Sequence, residues 1–189
     1  MIPLLLQVAA AVGGVVHGRV APQLRPVVEL VAAADSGTAE PTTDTVTIDQ
    51  RDLSFVPTMA VVPVGATVRF RNSDPILHNV FSPPGPGPGF NLGTYPQGDG
   101  RTHRFDEPGV AVILCHVHPE MVAYVFAIRS RWFAVADAAG RWDIPDVPPG
   151  RYLLRVWPGR GRPVERRITV PADRRLEVDL DLTQRSGRH

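Results

Sequence analysis

The chain has 189 residues, 43% of them hydrophobic, which is enough for one ordinary domain or two small ones with real cores. Its 20 Pro and 17 Gly favour turns and short strands over long helices, and a net charge of +1 gives no electrostatic reason to bind nucleic acid. All 20 basic residues are Arg; seven of them face eleven acids in residues 1–128 and thirteen face eight acids in residues 129–189, so the charge divides the chain into two halves. With one cysteine, Cys115, an intramolecular disulfide is excluded.

From Met1 to Val16 no side chain is charged, and the apolar stretch Leu4-Leu5-Leu6 followed by Val8-Ala9-Ala10-Ala11 ends in small residues, as a secretory leader does. The usual positive start of such a leader is missing. Residues 1–14 are expected to be this leader, which assigns the protein to the periplasm or the outside of a bacterial cell. The run is shorter than the ~20 residues of a spanning helix, so membrane association is expected only through this segment.

Further on, apolar and β-branched residues recur in short runs bounded by Gly, Pro, Asp and Asn, the pattern of strands. The expected strands are His17–Val20, Val27–Ala32, Thr45–Asp49, Thr67–Asn72, His78–Phe81, Val110–Cys115, Val122–Ile128, Trp132–Ala136, Arg151–Trp157, Val164–Val170 and Leu176–Leu182. No long segment carries a helical apolar period, so the expected fold class is all-β, made of sandwiches or barrels. Ala33–Thr43 and the Pro-Gly stretch Ser82–Gly89 read as irregular.

The segment that carries chemistry is Cys115-His116-Val117-His118-Pro119-Glu120-Met121, at the end of an apolar strand. A thiol, an imidazole three positions on and a thioether three further on are soft and borderline ligands on one tight loop. That set suits copper, with Cys and His in a trigonal arrangement and a weak axial Met. The second imidazole is His78, from Asp74-Pro75-Ile76-Leu77-His78-Asn79-Val80. Zinc held by Cys115, His116, His118 and His78 is the competing metal. Strand alternation would aim the adjacent Cys115 and His116 to opposite faces, and Met is a poor zinc ligand, which favours copper. A cysteine nucleophile with His78 or His118 as base lacks any sign of an oxyanion loop beside Cys115. His17 and His103 have no ligand context and read as solvated, and Met59 reads as packing.

Residues 44–128 resemble a cupredoxin of the plastocyanin and amicyanin type. The likeness runs through Phe55, Pro57, Gly65, Val68, Phe70, Asn72, Asp74, His78-Asn79-Val80, Phe105 and Gly109, and ends in Cys115-x-x-His118-x-x-Met121. It implies a Greek-key sandwich holding one type 1 copper, with His78, Cys115 and His118 as equatorial ligands, Met121 as the axial one, and Asn79 tying the two ligand loops together. Residues 129–184 resemble a carboxypeptidase-regulatory-like or transthyretin-like (prealbumin-like) sandwich, through Asp137, Gly140, Trp142 and Pro149-Gly150-Arg151-Tyr152. The opening strands of that fold are missing after Ile128 but present as Gly18-Arg19-Val20 and Val27-Val28-Glu29-Leu30. The expected organisation is therefore a sandwich of residues 15–35 plus 129–184 with the cupredoxin inserted, the order of bacterial methylamine-utilisation-type plastocyanin-like proteins. In the alternative, residues 15–35 extend the cupredoxin sheet.

The resemblance implies an envelope blue-copper protein that carries single electrons between redox protein partners and is not an enzyme, with no small-molecule substrate and no nucleic acid. The alternatives are a binding or structural module in which copper is stabilising, and a copper storage or delivery protein.

Overall fold

A computed structural model of the chain describes residues 14–20, 25–33, 45–85, 89–158, 161–172 and 175–180. The expected leader up to residue 13, most of Ala33–Thr43, residues 86–88 of the Pro-Gly stretch and the end of the strand Leu176–Leu182 lie outside the described residues. The described residues form sixteen strands: β1 (Gly14–Arg19), β2 (Val27–Ala32), β3 (Val46–Arg51), β4 (Ser54–Val56), β5 (Met59–Pro63), β6 (Thr67–Asn72), β7 (His78–Ser82), β8 (Phe90–Tyr95), β9 (Gly98–Arg104), β10 (Gly109–Leu114), β11 (Val122–Ile128), β12 (Phe133–Val135), β13 (Arg141–Val147), β14 (Gly150–Trp157), β15 (Val164–Val170) and β16 (Arg175–Glu177). The fold is all-β.

The strands make four sheets, of order β4-β3-β6-β9, β5-β11-β10-β7-β8, β13-β1-β16 and β12-β2-β14-β15. The first two share one core, in which Ile48, Phe55, Val68, Phe70, Val80, Ile113, Ala123 and Val125 are wholly buried. β6 shows why: in Thr-Val-Arg-Phe-Arg-Asn the even positions Val68, Phe70 and Asn72 are buried while Arg69 and Arg71 face water. Full burial of a side chain such as Phe70 stabilises by about 1.5–3 kcal/mol. The other two sheets enclose a second core around Val16, Leu30, Trp142, Ile144, Tyr152, Leu154 and Val156. In this second sandwich β1 pairs with β13 and β16, and β2 with β12 and β14, so the first two described strands share sheets with the last five described ones. Gly18 is required there: a Cβ would stand 1.8 Å from the Val178 carbonyl oxygen and 2.9 Å from the Trp142 ring.

β11 explains a long apolar run. Ala123, Val125 and Ala127 fill the first core, while Phe126 and Ile128 join Val27, Val110 and Trp157 in a third cluster between the two sandwiches. A strand covered on both faces loses its alternation and reads as continuously apolar.

Several strands carry too weak a local signal to be expected from sequence. β4 has three residues, β8 is an edge strand interrupted by Gly93 at φ 70°, and β9 is an edge strand with six of its seven residues exposed. β5 finds its partner in β11, with Met59 opposite Tyr124, through a distant parallel pairing with no local signature. β13, Arg141–Val147, is not among the expected strands.

Candidate metal centre

His78 opens β7, and Cys115, His118 and Met121 lie on the connection between β10 and β11. β7 and β10 are neighbours, with Leu114 opposite Phe81, so the residue after β10 comes beside the start of β7. The Cys115 Sγ stands 3.9 Å from His78 Nδ1 and 4.0 Å from His118 Nδ1, and the two Nδ1 atoms are 3.0 Å apart. His78 and Cys115 are buried and His118 is half-buried; among the described residues these three form the only His, Cys and carboxylate group within metal-holding reach. Met121 is buried in the first core, and its backbone N–H donates to the His118 carbonyl at 3.0 Å, closing the ligand loop into a turn.

The surroundings orient these donors. The Asn79 backbone N–H points at Cys115 Sγ (3.4 Å), its side-chain oxygen accepts the His116 N–H (3.4 Å), and its Nδ2 donates to Asn91 (3.0 Å). Asn79 thus bonds the two loops to one another. Asn72, buried below, donates to the carbonyls of Ile76 and Tyr95 and accepts the Asp74 N–H, which fixes the loop leading to His78.

The sequence reading missed the function of Asp74, whose carboxylate lies 2.8 Å from His78 Nε2. Burial by itself pushes this carboxyl up; the bond to His78 and the N–H groups of Leu53 and Asp52 outweigh burial and hold it below its ordinary value. An ionised carboxylate only accepts, so the Nε2–H donates to it, and the second ring nitrogen, Nδ1, is the one that faces Cys115 and His118. The Asp-x-x-x-His spacing was visible in the sequence, but nothing local distinguishes it from a surface pair.

An N- or S-bound transition-metal ion sits about 2.0–2.3 Å from its donors, which spaces donors about 3.4–4 Å apart around a trigonal or tetrahedral centre. The two sulfur-to-nitrogen separations match this span, and the two nitrogens stand slightly inside it. A thiolate and two imidazoles are also the ligand chemistry that copper takes. The residues present therefore fit copper.

His116 is exposed and stacked on Phe81, with ring centroids 3.7 Å apart, so the zinc quartet that would need it is not assembled. His103 corrects an expectation: it is half-buried, stacked on Phe90 (3.8 Å) and edge-on to Phe105 (4.8 Å), and this burial pushes its pKa down. His17 lies in a cleft of about 500 Å³ beside Trp142, and Met59 packs against the third cluster.

No family model matches the sequence, and no curated protein matches it. Solved structures do. The chain is similar to a copper-containing nitrite reductase from Thermus scotoductus, at 28% identity over 48% of this chain and 23% of that one, with a TM-score of 0.43. It is similar to a purple cupredoxin from Nitrosopumilus maritimus, at 29% identity over 44% of this chain and 99% of that one (TM-score 0.40). It is also similar to amicyanin from Paracoccus versutus, at 19% identity over 53% of this chain and 98% of that one (TM-score 0.42).

Proposed function

We propose that residues 44–128 are a cupredoxin unit inserted between residues 15–35 and 129–184, and that the chain is a one-electron carrier with one type 1 copper. In this reading His78, Cys115, His118 and Met121 would hold the metal, and bound copper would supply the one-electron couple. The observation that carries it is the buried Cys115 thiol with two imidazole Nδ1 atoms at 3.9 and 4.0 Å.

The chain's own residues supply rigidity. His78 is anchored by Asp74, Cys115 by the Asn79 N–H and the ligand loop by the turn from His118 to Met121, so little has to move when charge changes at the site. The apolar core around Cys115 and Met121 excludes water. With four protein ligands there is no open position for a substrate, which favours a carrier over an enzyme. Leu77 and Val117, next in sequence to His78 and His118, expose 57% and 51% of their surface and suit brief contact with a redox protein partner. The uncharged start of the chain supports an envelope location, which N-terminal sequencing of the exported protein tests.

Titration of the purified full chain with Cu(II) tests the metal assignment. One equivalent is expected to give an intense visible band from thiolate-to-metal charge transfer. Cys115→Ser removes the band, whereas Met121→Leu keeps it and raises the potential. A colourless wild-type Cu(II) form, or a coloured Cys115→Ser protein, overturns the reading. Fast electron self-exchange in the loaded protein separates a carrier from a module in which copper only stabilises the fold.

A further inference from the structure

The Asp74 carboxylate, almost wholly buried, accepts three hydrogen bonds from two different parts of the chain. Oδ1 takes the N–H of Asp52 at 2.7 Å, and Oδ2 takes the N–H of Leu53 at 3.1 Å and the Nε2–H of His78 at 2.8 Å. Asp52 and Leu53 form the turn between β3 and β4, and both have positive φ, 51° and 56°. L side chains rarely adopt that region, so the turn persists because its surroundings hold it. The same carboxylate that holds it also holds the ring of a proposed metal ligand.

We propose that Asp74 is the positioning residue of the centre: anchored on the Asp52–Leu53 turn, it fixes the Nε2–H tautomer of His78 and strengthens the imidazole as a donor through Nδ1. This rests on the copper reading above. Three features distinguish it from a merely structural bond. First, Asp74 is four residues before His78 on a loop already fixed by Asn72, so the carboxylate sits in one place. Second, the two turn amides bind both carboxylate oxygens, so the carboxylate does not turn away from the imidazole without giving up the turn. Third, the opposite ring nitrogen, Nδ1, faces the other two donors, 3.9 Å from Cys115 Sγ and 3.0 Å from His118 Nδ1. A carboxylate-bound imidazole is the stronger electron donor, and it stabilises the more positively charged oxidation state. Asp74 is thereby expected to keep the potential lower than a His78 bonded to a neutral acceptor would give.

The experiment uses the full chain and the variants Asp74→Asn and Asp74→Ala. Asn keeps one acceptor oxygen for the turn and the shape of the side chain, so it remains informative should Ala fail to fold. In the metal-free wild type, nitrogen-detected NMR of His78 is expected to give the Nε2–H tautomer with a proton protected from exchange. Both variants are expected to lose that protection, to speed hydrogen exchange at the Asp52 and Leu53 amides, and, loaded with copper, to keep the visible band while the midpoint potential shifts upward. An unprotected or Nδ1-protonated His78 in the wild type, or an Asp74→Asn protein with unchanged potential, overturns the proposal. A wild type that stays colourless with Cu(II) overturns the copper reading instead, and the tautomer measurement then still decides whether Asp74 orients His78.

Discussion

The ligand end of the first sandwich and the junction between the sandwiches each contain a buried carboxylate with more than two donors. At the junction it is Glu29, wholly buried on β2, whose Oε1 accepts from Arg155 Nη1 and Trp157 Nε1, both at 3.1 Å, and whose Oε2 accepts the N–H groups of Arg129 (3.2 Å) and Ser130 (3.3 Å). Glu29 therefore binds the segment leaving β11 to two strands of the second sandwich. None of these four donors turns a second polar atom towards a group of candidate metal ligands. Asp74 makes the same kind of bonds, but one of its donors is a ring whose far nitrogen faces a thiol and another imidazole. Whether a buried carboxylate is only a clamp or also tunes chemistry is decided by what its partner can still do.

That contrast is broken first at Glu29. Glu29→Ala leaves the Arg155 guanidinium and the Trp157 N–H without their buried acceptor, and removing one partner of such a pair costs about 3–5 kcal/mol. Arg155 keeps Glu165 at 2.7 Å, which sets the expectation at the lower end. Chemical denaturation of the variant reads the loss, and the copper band is expected to survive, because β2 lies in neither sheet of the first sandwich. A cost below about 1 kcal/mol, the size of an ordinary hydrogen bond, refutes the clamp.

A smaller effect is expected at Gly18, which tests the second sandwich away from the junction. Gly18→Ala drives a Cβ into the Val178 carbonyl, and overpacking of this kind costs about 1–3 kcal/mol. The melting temperature should fall while metal affinity stays at the wild-type value; a loss of metal affinity would show that the two sandwiches are coupled beyond the third cluster.

The smallest effect comes from an exposed carboxylate. Asp137 takes the Arg141 and Ala139 N–H groups and the Arg141 side chain in the turn between β12 and β13, and the Arg141 backbone bond first, then its side chain, hold the carboxyl below its ordinary value. A lowered folded-state pKa contributes stability above the unfolded-state value of about 3.8, and that stability is lost as pH falls through the folded value. Wild type and Asp137→Asn should therefore converge in stability below that point and separate slightly above it. A difference that persists unchanged into strong acid contradicts the sign.

How much of this was legible in the sequence follows from where each signal resides. β6 announces itself because Val68 and Phe70 alternate with arginines, whereas β9 has no apolar partner for any core and reads as loop. Cys115, His118 and Met121 stand out because their side-chain chemistry is rare and their spacing local. His78 stands out by residue type, although it meets them only through the pairing of β7 with β10. Asp74 and Glu29 could not be read. Glu29 looks like a lone charge in Val-Val-Glu-Leu-Val-Ala, and its donors at Arg129, Ser130, Arg155 and Trp157 lie a hundred residues or more away. A buried charge is justified by tertiary partners, and alternation along one strand contains no information about them.

The pairing of β2 with β12 has a consequence for ancestry and engineering. Phe133 lies opposite Glu29 and the Leu30 N–H donates to the Trp132 carbonyl, so the chain leaves this sheet at one strand and returns at its immediate antiparallel neighbour. For the sheet, everything from β3 to β11 is the connection of a hairpin. The entropy of closing a loop grows only with the logarithm of its length, and a connection that folds by itself with its ends a strand spacing apart behaves as a short one. The position between β2 and β12 is therefore where a shortened hairpin is expected to leave the remaining strands of this sheet able to pair.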